Sequence, residues 1–208
     1  RAKLSKRHGA VSVEEFRDRG YLPQALLNFI ALLGWNPGDD REVLSLGEMV
    51  DEFRFERVSK SGAVFDREKL NWMNQQYLLK LPEEEYFRMI DDVIQKGDYH
   101  NQDSGKIRQA AEILKTRLVT LSDLNQKLGL FFEENPEIKD LQAIEVLKEE
   151  NSKTVLKEFL QQVENLDQLT SENLGQLVKS VQKTTGIKGR GLWMPLRCAI
   201  TREVSGPE

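Results

Sequence analysis

A single cysteine, Cys198, in a chain of 208 residues rules out an internal disulfide framework and suits a reducing compartment. Histidine is almost as scarce. His8 and His100 stand far apart, and neither has a cysteine or a second histidine at ligand spacing, so no metal site is expected. No stretch approaches about 18 consecutive apolar residues, which argues against a membrane-spanning helix. There is no Walker-type glycine-rich loop and no dinucleotide fingerprint. The first residue is Arg1, not Met, and no apolar signal core follows it, so the chain is expected to be a piece of something longer and not a secreted precursor. Internal repeats and low-complexity tracts are absent. Nothing alternates convincingly as a strand; Ala63-Val64-Phe65 makes a short extended piece at most.

What is present is apolar material and unevenly distributed charge. With 39% hydrophobic and 31% charged residues, the length allows one large domain or two small ones around a packed core. The net charge of -4 argues only weakly against a polyanionic partner, because the two signs are segregated. Residues 131–172 hold eleven acids against four lysines, whereas residues 173–202 hold six bases and no acid. Lys106, Arg108, Lys115 and Arg117 form a second basic cluster. Local stripes of this kind can hold a polyanion while the sum stays acidic.

Helical signals dominate. Ser12 with Glu15, and Ser45 with Glu48, read as capping boxes. Pro23 suits the first turn of a helix carrying Leu26, Leu27, Ile30, Leu32 and Leu33 and ending at Gly34, after which Trp35 to Asp40 reads as a loop. Asp66 caps a helix with Leu70, Met73 and Tyr77 on one face. Pro82 opens another, with Tyr86, Phe87, Ile90 and Ile94 as its inner stripe. Residues 97–105 are polar and form the best linker candidate. Further helices are expected near 106–119, 121–130, 137–150, 152–164 and 171–185, the last ending at Gly186. The expected fold is all-α, in two helical bundles, with a division at 95/96.

One segment carries chemistry. Lys3-Leu4-Ser5-Lys6-Arg7-His8-Gly9 reads as a flexible cationic loop before the helix at Ser12, suited to polyphosphate; in an arbitrary sequence such a segment is more often a disordered basic end. It resembles the Lys-Met-Ser-Lys-Ser signature loop of class I aminoacyl-tRNA synthetases, in the form that glutamyl enzymes use. The likeness extends through Gly20-Tyr21-Leu22-Pro23, Leu32-Leu33-Gly34-Trp35, the block Phe65-Asp66, Lys69-Leu70, Trp72-Met73-Asn74, and then Thr185-Gly186-Ile187-Lys188-Gly189 and Met194-Pro195-Leu196-Arg197. These blocks together are similar to the carboxy-terminal part of bacterial-type glutamyl-tRNA synthetases.

The resemblance implies that Lys6 stabilises the ATP phosphates, with Mg2+ in the full enzyme, while glutamate is activated to glutamyl-adenylate. Lys3 and Ser5 would hold the loop, and Arg7, where the general class signature has Ser, matches the glutamyl variant. Residues 1–95 would contact the tRNA stem and elbow and residues 96–208 the anticodon. The partner implied is tRNA-Glu, with tRNA-Gln left open, and the protein would be a monomer of the bacterial cytoplasm or an organelle. Glutaminyl enzymes of the archaeal and eukaryotic type are similar to β-barrels in this region, so helical signals separate them. The His-Ile-Gly-His motif and the parallel sheet that carries it have no counterpart, so this chain alone is expected not to catalyse aminoacylation.

Among single residues, Arg117 either contacts the anticodon stem or a base edge, as Arg pairs bidentately with guanine, or lies on a solvated helix face. Lys179, Lys183, Lys188, Arg190 and Arg197 would meet anticodon-loop phosphates, the other reading being a solvated face, which the lack of any interrupting acid disfavours. Trp193 and Phe131-Phe132 can stack on unpaired bases, although aromatic side chains of a helical protein mostly lie in its core. Trp35 and Trp72 are expected in the core, as is Cys198. The other reading is a stand-alone helical module, binding RNA or protein, whose basic head is incidental.

Overall fold

The computed structural model describes residues 12–133, 137–168 and 170–205. These form eleven α-helices and no sheet; the only β pairing among them is an isolated antiparallel bridge between Trp35 and Val58. The all-α expectation holds. No helix among the described residues is long and apolar enough to cross a membrane.

The chain divides into two compact units at 132/133. The first contains α1 (Val13–Asp18), α2 (Pro23–Gly34), α3 (Leu46–Glu52), α4 (Arg67–Lys80), α5 (Glu83–Lys96), α6 (Ser104–Leu114) and α7 (Asp123–Phe132), with single 3-10 turns at Phe55–Arg57 and Lys115–Arg117. Local chemistry sets most of the boundaries. Ser45 and Glu48 close the full capping box of α3, and the Asp66 side chain accepts from the backbone N–H of Glu68 and Lys69 to start α4. At α1 only half of the expected box forms. Ser12 Oγ accepts from Glu15 N at 3.2 Å, while the Glu15 carboxylate turns to Arg19.

The apolar stripes sink into adjoining clusters. Phe16, Tyr21, Leu26, Phe29, Leu70 and Met73 form one, and Tyr86, Ile90, Ile94, Ile107, Ala111, Leu118 and Leu124 belong to another. Trp35, Leu44 and Met49 make a third, which confirms Trp35 as core. Of the residues singled out on α2, Leu26 is buried but Leu27 and Ile30 are exposed; Ala25 and Phe29 face inward instead.

The polar stretch 97–105 is not a linker between compact units. Asn125 Oδ1 accepts from Asp98 N at 3.0 Å, its Nδ2 donates to the Asp98 carboxylate at 2.9 Å, and Tyr99 packs against Phe132 with centroids 5.7 Å apart. Nor do contacts thin at 95/96, because α4 is stitched to the segment after α6. Buried Asn74 accepts from Leu22 N at 2.8 Å and donates to the Val119 carbonyl at 2.5 Å, and Gln75 donates to the Thr116 carbonyl at 2.9 Å. Gly20 completes the join. Its φ is +78°, its carbonyl accepts from Leu121 N at 3.0 Å, and a Cβ there would lie 2.6 Å from Ser122 N, so no other residue fits.

The second unit holds α8 (Leu141–Lys148), α9 (Glu150–Val163), α10 (Ser171–Thr185) and α11 (Arg190–Thr201). Val155, Leu177, Val178, Val181, Leu192 and Leu196 form its core. Helix α10 has the bounds expected from sequence and ends on Gly186 at φ +70°. Helix α11 was not anticipated, and it carries Gly191 and Pro195 within it. Burial of Leu192, Pro195, Leu196 and Cys198 holds it nonetheless. Asp140 ties its far end back, capping α8 through Gln142 N and Ala143 N and accepting from Val204 N at 3.0 Å. Those three donors, Val204 foremost, hold the Asp140 carboxyl below its ordinary range.

Candidate nucleic-acid interface

The signature residues Lys3, Ser5, Lys6 and Arg7 lie outside the described residues. The remaining candidates fall on both compact units.

In the first unit, the basic cluster 106–117 divides by role. Lys115 Nζ donates to the Leu81 carbonyl at 2.9 Å and sits 4.9 Å from the Tyr86 ring, so its charge is used to close the end of α4. Arg108 lies over Phe87 at 5.1 Å. Lys106 is exposed. Arg117 differs from all three. It is half-buried on the 3-10 turn, anchored by fully buried Leu118, and makes no hydrogen bond or ion pair among the described residues.

Arg117 lines an open pocket of about 500 Å³ with Arg19, Tyr21, Asn71, Thr120, Asp123, Gln126 and Lys127. The one carboxylate in this set is already occupied. Asp123 Oδ2 accepts from Val119 N at 3.0 Å and Thr120 N at 2.8 Å, fixing the turn that presents Arg117. Tyr21 donates to Asn71 Oδ1, and burial pushes its phenol up, so it stays neutral at physiological pH. The pocket therefore offers two cations, Arg117 and Lys127, beside neutral donors and acceptors, while the third, Arg19, is already paired with Glu15. Arg19, Asn71 and Lys127 were not singled out in sequence, and Tyr21, fifty positions from Asn71, was named only within a block of the family likeness.

In the second unit, Lys179 and Lys183 project from the exposed side of α10, opposite Leu177, Val178 and Val181. Lys188 and Arg190 follow on the turn into α11, across Gly189 at φ +57°. Arg197 is half-buried further along α11. None of the five has an acidic partner among the described residues. Arg202, the sixth base of the acid-free stretch, is different: it pairs with Glu133 at 2.5 Å and its side chain is 16% exposed. By contrast, Lys148 and Lys153 of the acidic stretch are neutralised locally by Glu145 and Glu150. Arg190 adds charge at the amino end of α11, where the helix dipole is already positive, so that end favours an anion.

The aromatic expectations divide. Trp72 is 42% exposed, not core, because it points away from the Leu70–Met73–Leu78 side of α4. Phe131 and Trp193 are exposed, while Phe132 is drawn inward against Tyr99. Cys198 is fully buried, and burial raises its thiol pKa, as expected of a packing residue. No cluster of possible metal ligands occurs among the described residues.

An all-helical protein with unpaired cations along an acid-free stretch has the surface of a polyanion binder, and comparison with known proteins specifies the class. Residues 73–208 match the family described as "Anticodon binding domain", and residues 1–72 match "tRNA synthetases class I (E and Q), catalytic domain". The chain belongs to the anticodon-binding-domain family. Among curated relatives, it is 37% identical over 213 residues to "Glutamate--tRNA ligase 1" of Caldicellulosiruptor saccharolyticus, covering 100% of this chain and 44% of that protein. It is 40% identical over 210 residues to "Glutamate--tRNA ligase 2" of Syntrophus aciditrophicus, covering 100% and 43%. A crystal structure of a glutamate tRNA ligase from Elizabethkingia meningosepticum, in complex with its amino acid, superposes with a TM-score of 0.75 at 28% identity, covering 100% of this chain and 44% of that one. The chain thus spans less than half the length of the relatives it matches. The two family matches meet at 72/73, inside α4, so that boundary is not a structural one.

Proposed function

We propose that this chain is the tRNA-binding part of a glutamate–tRNA ligase, an enzyme that uses ATP, with Mg2+, to join glutamate to tRNA-Glu through glutamyl-adenylate. The observation that carries the reading is the anticodon-binding family match over residues 73–208 together with the unpaired cations of α10 and α11 inside it. Lys179, Lys183, Lys188, Arg190 and Arg197 meet backbone phosphates of the anticodon loop. Arg117, presented by the Asp123-capped turn, contacts a base edge or the stem. Lys6 neutralises charge on the ATP phosphates, with Lys3, Ser5 and Arg7 holding its loop. Residues 1–95 serve the stem and elbow, and the remainder serves the anticodon. The protein acts as a monomer in bacterial cytoplasm or an organelle, and without the rest of the ligase this chain does not aminoacylate.

The test is a filter-binding titration of the 208-residue chain with tRNA-Glu, tRNA-Gln and an unrelated tRNA at several salt concentrations. Binding that favours tRNA-Glu and weakens as salt rises supports the reading. Salt-independent binding, or no binding, refutes it.

A further inference from the structure

Trp193 stands out among the large side chains of the second unit: it is 58% exposed, and among the described residues no cation or aromatic ring stacks on its indole. Its setting on α11 is specific. Arg190, Trp193, Arg197 and Ile200 follow one another at spacings of three and four residues, which puts them within about 80° of each other around the helix. Leu192, Pro195, Leu196 and Cys198 take the buried side. The indole therefore lies between two arginines that lack acidic partners, one turn before it and one turn after, with exposed Ile200 beyond. Trp and Arg also anchor protein interfaces, but this face lies in the acid-free run 173–202. An open aromatic plane bracketed by cations suits a base stacked on the ring with its flanking phosphates on the arginines.

We infer that Trp193 is a stacking platform for an unpaired nucleotide, with Arg190 and Arg197 as its phosphate clamps. The inference rests on the reading of the chain as an anticodon-loop binder and adds to it a residue that acts on a base face and not on charge. Stacking is indifferent to base identity, so Trp193 contributes affinity for an open loop and little preference among loop sequences.

The experiment uses the 208-residue chain, its intrinsic tryptophan fluorescence, an RNA hairpin carrying the anticodon loop of a glutamate tRNA, and the same stem as a blunt duplex. The hairpin should quench the wild-type signal, and Trp193→Phe should lose that quenching while keeping affinity within roughly threefold, since any aromatic ring stacks. Trp193→Ala and Trp193→Leu should both weaken hairpin binding roughly ten- to one-hundredfold and leave duplex binding unchanged. The leucine variant separates loss of a π-face from loss of bulk, and Trp193→Phe decides the matter if the smaller side chains melt early. If Trp193→Ala bound the hairpin as the wild type does, while neutralising Lys179, Lys183 and Arg190 weakened it, stacking would be wrong and the RNA reading would stand. If the wild-type chain bound no hairpin at all, both would fall. Self-association abolished by Trp193→Ala with RNA affinity unchanged would assign the face to a protein contact and overturn the proposal.

Discussion

Replacing Lys179, Lys183 and Arg190 by glutamine in one variant tests the electrostatic half of the reading, because the fold predicts almost no structural side effect. All three are exposed and none has an acidic partner among the described residues. Lys179 and Lys183 are also like charges four residues apart on α10, whose mutual repulsion costs a few tenths of a kcal/mol, so the variant should melt at or slightly above the wild-type temperature. The RNA effect is large by comparison. Each phosphate contact contributes about 0.7 to 0.9 to the slope of log K against log salt, so losing three should flatten it by roughly two to three. Between about 50 and 200 mM salt, wild-type affinity should therefore fall some 20- to 40-fold more than that of the variant. The weakening at low salt should be alike for tRNA-Glu and an unrelated tRNA, because phosphates carry no sequence. Parallel lines for the two proteins, in a variant whose melt is normal, would show that these cations are a solvated face.

Arg117→Ala should lower the preference for tRNA-Glu over the unrelated tRNA, costing about 1–3 kcal/mol on the cognate alone if the guanidinium meets a base edge; a uniform loss on both tRNAs would place it on the backbone instead. Asn74→Ala should destabilise the first unit by about 2–5 kcal/mol, since it strands the buried Leu22 N–H and the Val119 carbonyl; a thermal melt within about a degree of wild type would show that those groups find other partners. In the whole ligase, Lys6→Ala should slow adenylate formation on the order of 10²-fold with little change in glutamate affinity, because the charge it meets grows toward the transition state. Normal pyrophosphate exchange in that variant would remove the loop from the chemistry.

Features written in one or two turns of sequence were legible. Ser45 with Glu48, Asp66, Pro23 and Gly186 are local hydrogen-bonding or φ choices, and the helices begin or end where those residues stand. Trp72 was legible too, and was misread: two residues from Leu70 on an α-helix is about 200° around the axis, so spacing alone places it opposite the buried side. The polar stretch 97–105 misled for a different reason. Polarity describes affinity for water, whereas Asn125 and Phe132, which hold Asp98 and Tyr99, stand about thirty positions away. Helix α11 was hidden because Gly189, Gly191 and Pro195 argue locally against it, and only packing of Leu192 and Leu196 against Val155 and Val181 outweighs them.

The candidate sites divide along the same line. Five of the six cations in the acid-free run stay available on α10, α11 and the turn between them, where the run predicts, while the sixth, Arg202, is taken by Glu133 from 69 positions away. The Arg117 pocket is a tertiary product. Arg19 and Tyr21 come from the turn between α1 and α2, Asn71 from α4, Arg117 from a 3-10 turn and Lys127 from α7. They converge because Gly20 lets the chain approach Ser122 and because Asn74 bridges Leu22 to Val119. Neither residue lines the pocket and neither carries a charge, although both stand in blocks of the family likeness. What makes Arg117 a candidate reader is thus a glycine and an asparagine whose only role is to bring three backbone segments together. Their substitution should disturb tRNA preference through position and not through contact.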